Sequence, residues 1–309
     1  MVILLEVTQE PNQSPIEERI IEITGNLSVG QRVSWAILHE ASSIKAGNVH
    51  PHAAFSEMRF EHFVLASQAI GRAFDDRLST RSIGQIVHSS VQAMVQAVEV
   101  NTSLGTILLL APIALCSLNS TGWNPKDFQE SIASVLEDST PEDSRLIYQA
   151  IRIANPGGLG QVANQDVQSN PPESILEAMR IASAWDDVAL QYANGFRQVS
   201  QWTDRLLAIL ESSSDLLGAV RLLQIEILAS RPDSLIARKH GKQVAGLVQS
   251  QAADVLASGP YASPEFEKAW SRFDGCLREN GHRKNPGTTA DLLAAVIFLA
   301  RCAQDRFDG

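Results

Sequence analysis

Residues 39–55, HEASSIKAGNVHPHAAF, form the densest group of side chains that could perform chemistry. The carboxylate of Glu40 could orient a hydroxyl or hold a metal ion, the ammonium of Lys45 could pair with a phosphate, and the imidazole of His50 could donate a proton. Gly47 allows a positive φ or a close approach of the backbone to a ligand. The same spacing is equally typical of a helix that ends in an ordinary polar surface loop. The binding candidates in this segment are Lys45, Gly47 and Asn48.

Two later aspartates could join Glu40 in a polar site. Asp166 follows a glycine-rich stretch, and Asp186 follows Trp185 in a segment with helical apolar spacing. Because Mg²⁺ is bound by a few carboxylates together with substrate phosphates, Glu40, Asp166 and Asp186 are the candidate metal ligands. On a helix the neighbouring Asp187 would point about 100° away from Asp186, so these two acids do not form a chelating pair. The alternative is that both are solvated or paired with arginine.

Backbone N–H groups could bind an anion at two places. Asn101 and Thr102 stand at the entrance of an apolar helical run, where unpaired N–H groups suit an anionic group, although an ordinary helix cap explains the same residues. Residues 155–167, NPGGLGQVANQDV, contain glycines that let the backbone pass close to a ligand or end a helix in a turn. No GK[ST] follows and no strand precedes them, so this stretch is neither a P-loop nor a dinucleotide fingerprint. The glycines concerned are Gly157, Gly158 and Gly160.

Positive charge is concentrated locally in a chain whose formal net charge is −10. Such an acidic chain is not expected to bind nucleic acid, because phosphate backbones need a basic face, but a small phosphorylated ligand remains compatible with it. Arg238 and Lys239 are the candidate phosphate contacts, residues 282–284 form a second basic cluster, and a solvated surface is the alternative for both. Lys45 is expected to be exposed, so that its removal leaves thermal unfolding nearly unchanged.

The elements that must position these side chains are helices. Apolar residues recur every three or four positions along nearly the whole chain, and no convincing alternating strand pattern is present. We therefore expect an all-α fold, with residues 1–27 as an N-terminal leader and residues 28–309 as a single compact multi-helix domain. Asn124 and Thr140 are expected to cap helices, and residues 172–210 to form one long helix, bent near Gly195.

No segment is expected to enter a membrane. The apolar N-terminus has no basic flank, and residues 102–118 are interrupted by Pro112 and fall short of the ~20 residues that a membrane span needs. The three cysteines, Cys116, Cys276 and Cys302, show no metal-ligand spacing, and they indicate a reducing cytoplasm.

Taken in order, these segments resemble the triphosphoribosyl-dephospho-CoA synthase family. The resemblance extends over about residues 30 to 303. It rests on the run from Glu40 to His50 with Phe60, Phe63 and Ser67; on Asn101, Thr102, Leu104, Gly105 and Pro112; on the run from Pro156 to Gly160 with Asp166, Met179 and Asp186; on Asp233, Ser234, Arg238 and Lys239; and on the run Asn285-Pro286-Gly287-Thr288-Thr289-Ala290-Asp291-Leu292.

The resemblance implies an all-helical transferase that acts on ATP and 3′-dephospho-CoA. Members of the family join the triphosphoribosyl part of ATP to the acceptor ribose and release adenine, and the product is a precursor of a carrier-protein prosthetic group. This is a substitution at C1 of a ribose with oxocarbenium character, so carboxylates near C1 and cations near the triphosphate are expected. The implied residues are Glu40, Asp166 and His50 for catalysis; Lys45, Arg238 and Lys239 for phosphates; Gly157, Gly158 and Gly160 for close backbone passage; and Glu40, Asp166 and Asp186 for Mg²⁺ or ribose.

Several positions differ from the characterised members and leave the acceptor open. Their Lys-Pro-Gly-Leu-Val-Asp is Lys-Ala-Gly-Asn-Val-His here, at residues 45–50, and their Asn-Thr-His-Lys-Gly is Asn-Thr-Ser-Leu-Gly, at residues 101–105. An arginine of the family pattern is Trp185 in this chain. These forms resemble a divergent branch found in archaea and in bacteria with pterin-linked one-carbon metabolism. The alternatives are a related transferase with another acceptor, or a helical nucleotide-binding protein without turnover.

Overall fold

The described parts of the chain are almost wholly helical. The computed structural model describes residues 27–119, 124–156, 171–282 and 284–304. Within these ranges it contains fourteen α-helices, one short 3₁₀-helix at Leu78–Thr80, and no β-strand, so the predicted all-α fold is confirmed. The α-helices are α1 Val29–Ser42, α2 Phe60–Asp75, α3 Ile83–Val98, α4 Leu104–Asn119, α5 Pro125–Glu137, α6 Pro141–Ala154, α7 Ile175–Ala182, α8 Asp187–Asn194, α9 Arg197–Ser212, α10 Leu216–Ser230, α11 Ser234–His240, α12 Lys242–Ala257, α13 Pro264–His282 and α14 Gly287–Gln304.

Short polar motifs set where the helices begin. At the start of α1 the hydroxyl of Ser28 accepts a hydrogen bond from the N–H of Gln31, and the Gln31 side chain accepts one from the N–H of Ser28. The predicted caps Asn124 and Thr140 are confirmed at the starts of α5 and α6. Both of these helices have proline at their first position, where no intrahelical hydrogen bond is lost.

Two helices that are apolar on nearly every side form the centre of the fold. All residues of α14 from Leu292 to Ala300 are buried, and so are those of α4 from Thr106 to Ala114. A helix without a polar stripe must be enclosed by neighbours on all sides. Accordingly, α14 packs against α1, α4, α8, α9, α10 and α11. Of the side chains that the sequence nominated for a site, Glu40 lies on α1 and Arg238 and Lys239 lie on α11.

A smaller apolar cluster holds the segment that follows α1. It is built from α10, α11, α12 and α13, with Phe266, Trp270 and Leu277 among its buried residues, and Ala46 of the segment is buried in it. The Gln224 side chain fixes this segment, because it accepts from the N–H of Ala46 at 2.8 Å and donates to the carbonyl of Ala46 at 2.9 Å. The segment after α1 is therefore a buried connection and not an ordinary surface loop.

The prediction of one long helix over residues 172–210 is wrong, because this stretch contains α7, α8 and α9. Asp186 accepts hydrogen bonds from two N–H groups of the next turn and begins α8 as its cap. Gly195 and Phe196 adopt left-handed backbone conformations, which end α8 and redirect the chain into α9. Apolar spacing continues through both breaks because all three helices bury residues in the same core cluster.

The expected leader, residues 1–27, lies outside the described residues except for Leu27. The assignment of residues 28–309 to a single domain remains a prediction. No helix within the described ranges is both long and apolar enough to cross a membrane.

Helices α1 and α2 approach each other closely at two glycines. A Cβ on Gly30 would lie 2.0 Å from the carbonyl oxygen of Gly71, and a Cβ on Gly71 would lie 2.1 Å from Oγ of Ser34. Ser34 is held in place because its hydroxyl donates to the carbonyl of Ser67 at 2.8 Å. The absence of both side chains lets α2 pack directly on α1, which carries Glu40.

We expect Gly71→Ala to destabilise the protein although alanine favours helices. Forcing a methyl group into this contact should cost about 1–3 kcal/mol of the free energy of unfolding. Gly246→Ala is the matched control, because no atom lies within 4 Å of a Cβ there, and it should be neutral or up to about 1 kcal/mol more stable. Denaturant-induced unfolding measures both changes. Equal stability of the two variants would contradict the close helix contact.

Candidate active site

A cavity of about 380 Å³ lies where the first turns of α4, α8 and α14 meet α1, α7 and α11. Polar and apolar side chains both line it. Of the side chains that the sequence nominated, those on the cavity wall are Glu40, Asn48, Asn101, Thr102, Asp186, Arg238 and Lys239. These residues come from four separate stretches of the sequence, and the fold brings them to one cavity.

The remaining nominated residues are not part of the described cavity wall. Lys45 and Gly47 belong to the buried segment after α1, and His50 pairs its backbone with Ala53. Burial and the positive charge of Arg278 lower the pKa of His50 to about 4, so its ring is neutral near pH 7. The positions that lie outside the described residues, and whose roles remain predictions, are Gly157, Gly158, Gly160 and Asp166.

Lys45 is fully buried, so the expectation that it is exposed is wrong. Its Nζ lies 3.0 Å from Oε1 of Glu40 and also donates to the backbone carbonyls of Glu40 and Ser43. Burial raises the pKa of Glu40 and lowers the pKa of Lys45, and the charge of each residue opposes the shift of the other. The ammonium of Lys45 thereby favours the ionised form of Glu40, which lines the cavity.

Two aspartates that were not among the candidate site residues of the sequence connect the first turns of three helices through hydrogen bonds. Asp233 accepts from two N–H groups at the start of α11 and, through its other oxygen, from the N–H and hydroxyl of Thr289 in α14. Asp291 of α14 accepts from the N–H and hydroxyl of Thr106 in α4, at 2.9 and 2.7 Å. Carboxylates bind well here because the free N–H groups of a first turn carry partial positive charge. In the sequence, the only indication of these two aspartates was the family resemblance, which includes Asp233 and the run at residues 285–292.

Asp291 lines the cavity, and only one of its carboxyl oxygens accepts hydrogen bonds from the described residues. Both hydrogen bonds from Thr106 end on Oδ1. Oδ2 lies beside Gly105, where a Cβ would come within 2.2 Å, and both residues line the cavity. Burial raises the pKa of Asp291 to about 7; the bonds from Thr106 oppose this rise, and the charges of Glu40 and Asp233 add to it.

Positive charge reaches the cavity wall from α11. Arg238 forms an ion pair with Asp186, and Arg231 forms one with Asp187, so both acids are paired with arginine in this structure. Lys239 is exposed on the wall and forms no ion pair or hydrogen bond with any residue that the structure describes. Its ammonium group is therefore available to a ligand.

The carboxylates nominated for Mg²⁺ have other partners. Glu40 pairs with Lys45, and Asp186 pairs with Arg238. Among the described residues, no group of three or more histidine, cysteine, aspartate or glutamate side chains could hold a metal ion. The described residues therefore do not form a metal site from protein ligands alone. The predicted metal site with Asp166 as the third carboxylate remains a prediction.

Apolar side chains complete the wall. Phe55, Met58 and Phe63 line it from the segment before α2 and from α2 itself. Ile181 lines it from α7, and Trp185 lines it from the turn that follows α7. Ile181 and Trp185 are 39% and 41% exposed, so a ligand that entered the cavity could cover apolar surface that water now contacts.

We expect Lys45→Met to destabilise the protein strongly, because it leaves the buried carboxylate of Glu40 without a counter-charge. Removing one partner of a buried pair costs roughly 3–5 kcal/mol. The double variant Glu40→Gln with Lys45→Met removes both charges and should regain much of this loss. Denaturant unfolding of the wild type, the two single variants and the double variant measures the coupling. A Lys45→Met protein as stable as the wild type would contradict the buried pair.

Comparisons with known proteins agree with the resemblance. Residues 26–307 match the family model described as CitG: ATP:dephospho-CoA triphosphoribosyl transferase. A solved structure of a candidate triphosphoribosyl-dephospho-CoA synthase from Archaeoglobus fulgidus is similar, with a TM-score of 0.60 and 25% sequence identity, over 77% of this chain and 97% of that chain. No curated protein matches. Because the family model spans most of the sequence, the chain belongs to the ATP:dephospho-CoA triphosphoribosyl transferase family, and it is a transferase.

Proposed function

We propose that the protein transfers the triphosphoribosyl part of ATP to a hydroxyl of 3′-dephospho-CoA or a closely similar acceptor, with release of adenine. The observation that carries this proposal is a single cavity that combines carboxyl groups, Glu40 and Asp291, with the cations Arg238 and Lys239. The reaction needs both kinds of group, because positive charge develops on the ribose while the triphosphate carries negative charge.

Glu40 is the group best suited to the reacting ribose. Substitution at C1 passes through a state with oxocarbenium character, and a fixed carboxylate stabilises its positive charge. The buried Lys45 holds the Glu40 side chain in place and favours its ionised form. Glu40 can also accept the proton that the acceptor hydroxyl loses when its oxygen attacks C1.

The triphosphate is assigned to Lys239 and Arg238, with Asn101 and Thr102 as additional hydrogen-bonding groups on the wall. Lys239 is available because it has no carboxylate partner among the described residues, whereas Arg238 would exchange or share its partner Asp186. Magnesium enters this proposal as the counter-ion of the ATP substrate, and no step depends on a protein-held ion.

The apolar part of the wall supports an acceptor larger than a simple sugar. Exposed Trp185 and Ile181 offer surface for a base or an apolar arm, and stacking of a base on an aromatic side chain is worth roughly 1–3 kcal/mol. An adenine nucleotide with a pantetheine arm, such as dephospho-CoA, has both features. Because ATP is the donor, we place the reaction in the cytoplasm.

The direct test is adenine release by the purified protein. With ATP and dephospho-CoA we expect adenine and a triphosphoribosylated acceptor in equal amounts, measured by chromatography and mass spectrometry. Omitting the acceptor should stop product formation. If ATP binds but neither dephospho-CoA nor related nucleotide acceptors yield adenine, the transferase proposal is wrong.

We expect Lys239→Ala to weaken ATP binding about tenfold or more, because a hydrogen bond to a charged group contributes roughly 1.5–3 kcal/mol. The side chain is exposed, so the unfolding temperature should stay close to that of the wild type. Lys242→Ala is the matched control, since Lys242 is also exposed but does not line the cavity. Calorimetry with ATP compares the variants. Equal affinities for both variants would remove Lys239 from the phosphate site.

A further inference from the structure

We propose that Asp291 is the acid that protonates the departing adenine. This inference rests on the proposed function and adds a catalytic residue to it. The evidence is the position of the carboxyl group, because Oδ1 is fixed by the two bonds from Thr106 while Oδ2 lies beside Gly105 on the cavity wall. Within the described residues no donor binds Oδ2. One oxygen therefore anchors the group, and the other is free to carry and donate a proton.

Gly105 makes this placement possible. A side chain at that position would put its Cβ 2.2 Å from Oδ2, so the carboxyl group could not keep its present place. Thr106, the next residue, supplies both anchoring bonds from the first turn of α4. The start of α4 thus anchors one oxygen of a carboxyl group that lines the cavity and leaves the other oxygen without a donor, and a proton donor needs such an oxygen.

Glu40 and Asp291, two of the carboxyl residues on the cavity wall, have different environments. Glu40 has the ammonium of Lys45 at 3.0 Å, which favours its charged form. Asp291 has no cationic partner among the described residues, and the charged groups that face it are Glu40 from α1 and Asp233 from the start of α11, both acidic. Burial raises the pKa of Asp291 to about 7, so a substantial fraction is protonated at neutral pH. The ammonium beside Glu40 therefore favours Glu40 as the base, and Asp291, which has no cation beside it, is the acid.

The step balances in protons and electrons. The Asp291 carboxyl proton moves to N7 of adenine, and the electron pair of the bond between C1 and N9 passes into the ring as adenine leaves. The acceptor hydroxyl oxygen forms the new bond to C1, and its proton moves to Glu40. Adenine gains the proton that Asp291 loses, the acceptor loses the one that Glu40 gains, and exchange with water restores both carboxyl groups.

Two buried aspartates of this region are less suited to the role than Asp291. Asp233 uses both oxygens, with four hydrogen bonds from α11 and α14. Asp187 is paired with Arg231 and does not line the cavity. Asp291 thus combines an oxygen that accepts no hydrogen bond from the described residues with a place on the cavity wall.

Asp291→Asn tests the proposal when two substrates are compared. The amide keeps the size of the group and can still accept from Thr106, but it cannot supply an acidic proton. With ATP and dephospho-CoA, we expect kcat to fall about 10²- to 10⁴-fold. With N7-methyl-ATP, whose base leaves as neutral 7-methyladenine without protonation, the rates of variant and wild type should agree within a few-fold. An equal loss with both substrates would overturn the proposal.

The wild-type pH profile gives a second test that does not depend on the folding of a variant. The acid form of Asp291 is the active one, so kcat with ATP should fall as the pH rises through about 7, and kcat with N7-methyl-ATP should lack that fall. The same fall with both substrates, or no fall with ATP, would overturn the assignment. If wild-type protein releases no adenine at all, the proposed function is overturned; if wild type is active and Asp291→Asn keeps its rate with ATP, only the role of Asp291 is overturned.

Discussion

The structure around the cavity depends on hydrogen bonds between aspartate carboxylates and the first turns of helices. Asp233 binds the starts of α11 and α14, and Asp291 binds the start of α4 from α14. Each interaction satisfies N–H groups that have no partner within their own helix, and it places negative charge where the helix dipole is positive. The apolar α14 packs against six other helices. These hydrogen bonds hold polar groups at defined positions in an otherwise apolar interior.

The same constraint gives the cavity its chemistry. A carboxyl group in a water-poor site is neutral or paired, and the cavity contains both cases: Glu40 is paired with the buried Lys45, and Asp291 has only hydroxyl and N–H donors on one oxygen. Arg238 and Lys239 bring positive charge on a separate helix, α11. Two unlike carboxyl groups and two cations on rigid helices are the groups that a substitution at the C1 of a nucleotide ribose needs.

Local features of the fold could be predicted from the sequence, and long-range ones could not. Apolar periodicity predicted the all-α fold, and the caps at Asn124 and Thr140 depend only on residues within one turn. The burial of Lys45 depends on packing against a separate apolar cluster, and the partners of Asp233 and Asp291 lie 56 and 185 residues away in sequence. Seven nominated residues line one cavity. The family resemblance nominated them together, whereas periodicity alone would not have grouped them.

The most direct test of the central claim is a crystal structure with an ATP analogue in which carbon replaces the ribose ring oxygen. Such a nucleotide keeps adenine and triphosphate but cannot form an oxocarbenium ion. We expect its C1 to face Glu40, N7 of its base to lie within hydrogen-bonding distance of Oδ2 of Asp291, and its phosphates to contact Lys239 and Arg238. A nucleotide bound outside this cavity, or one whose base points away from Asp291 and whose phosphates avoid α11, would contradict the account.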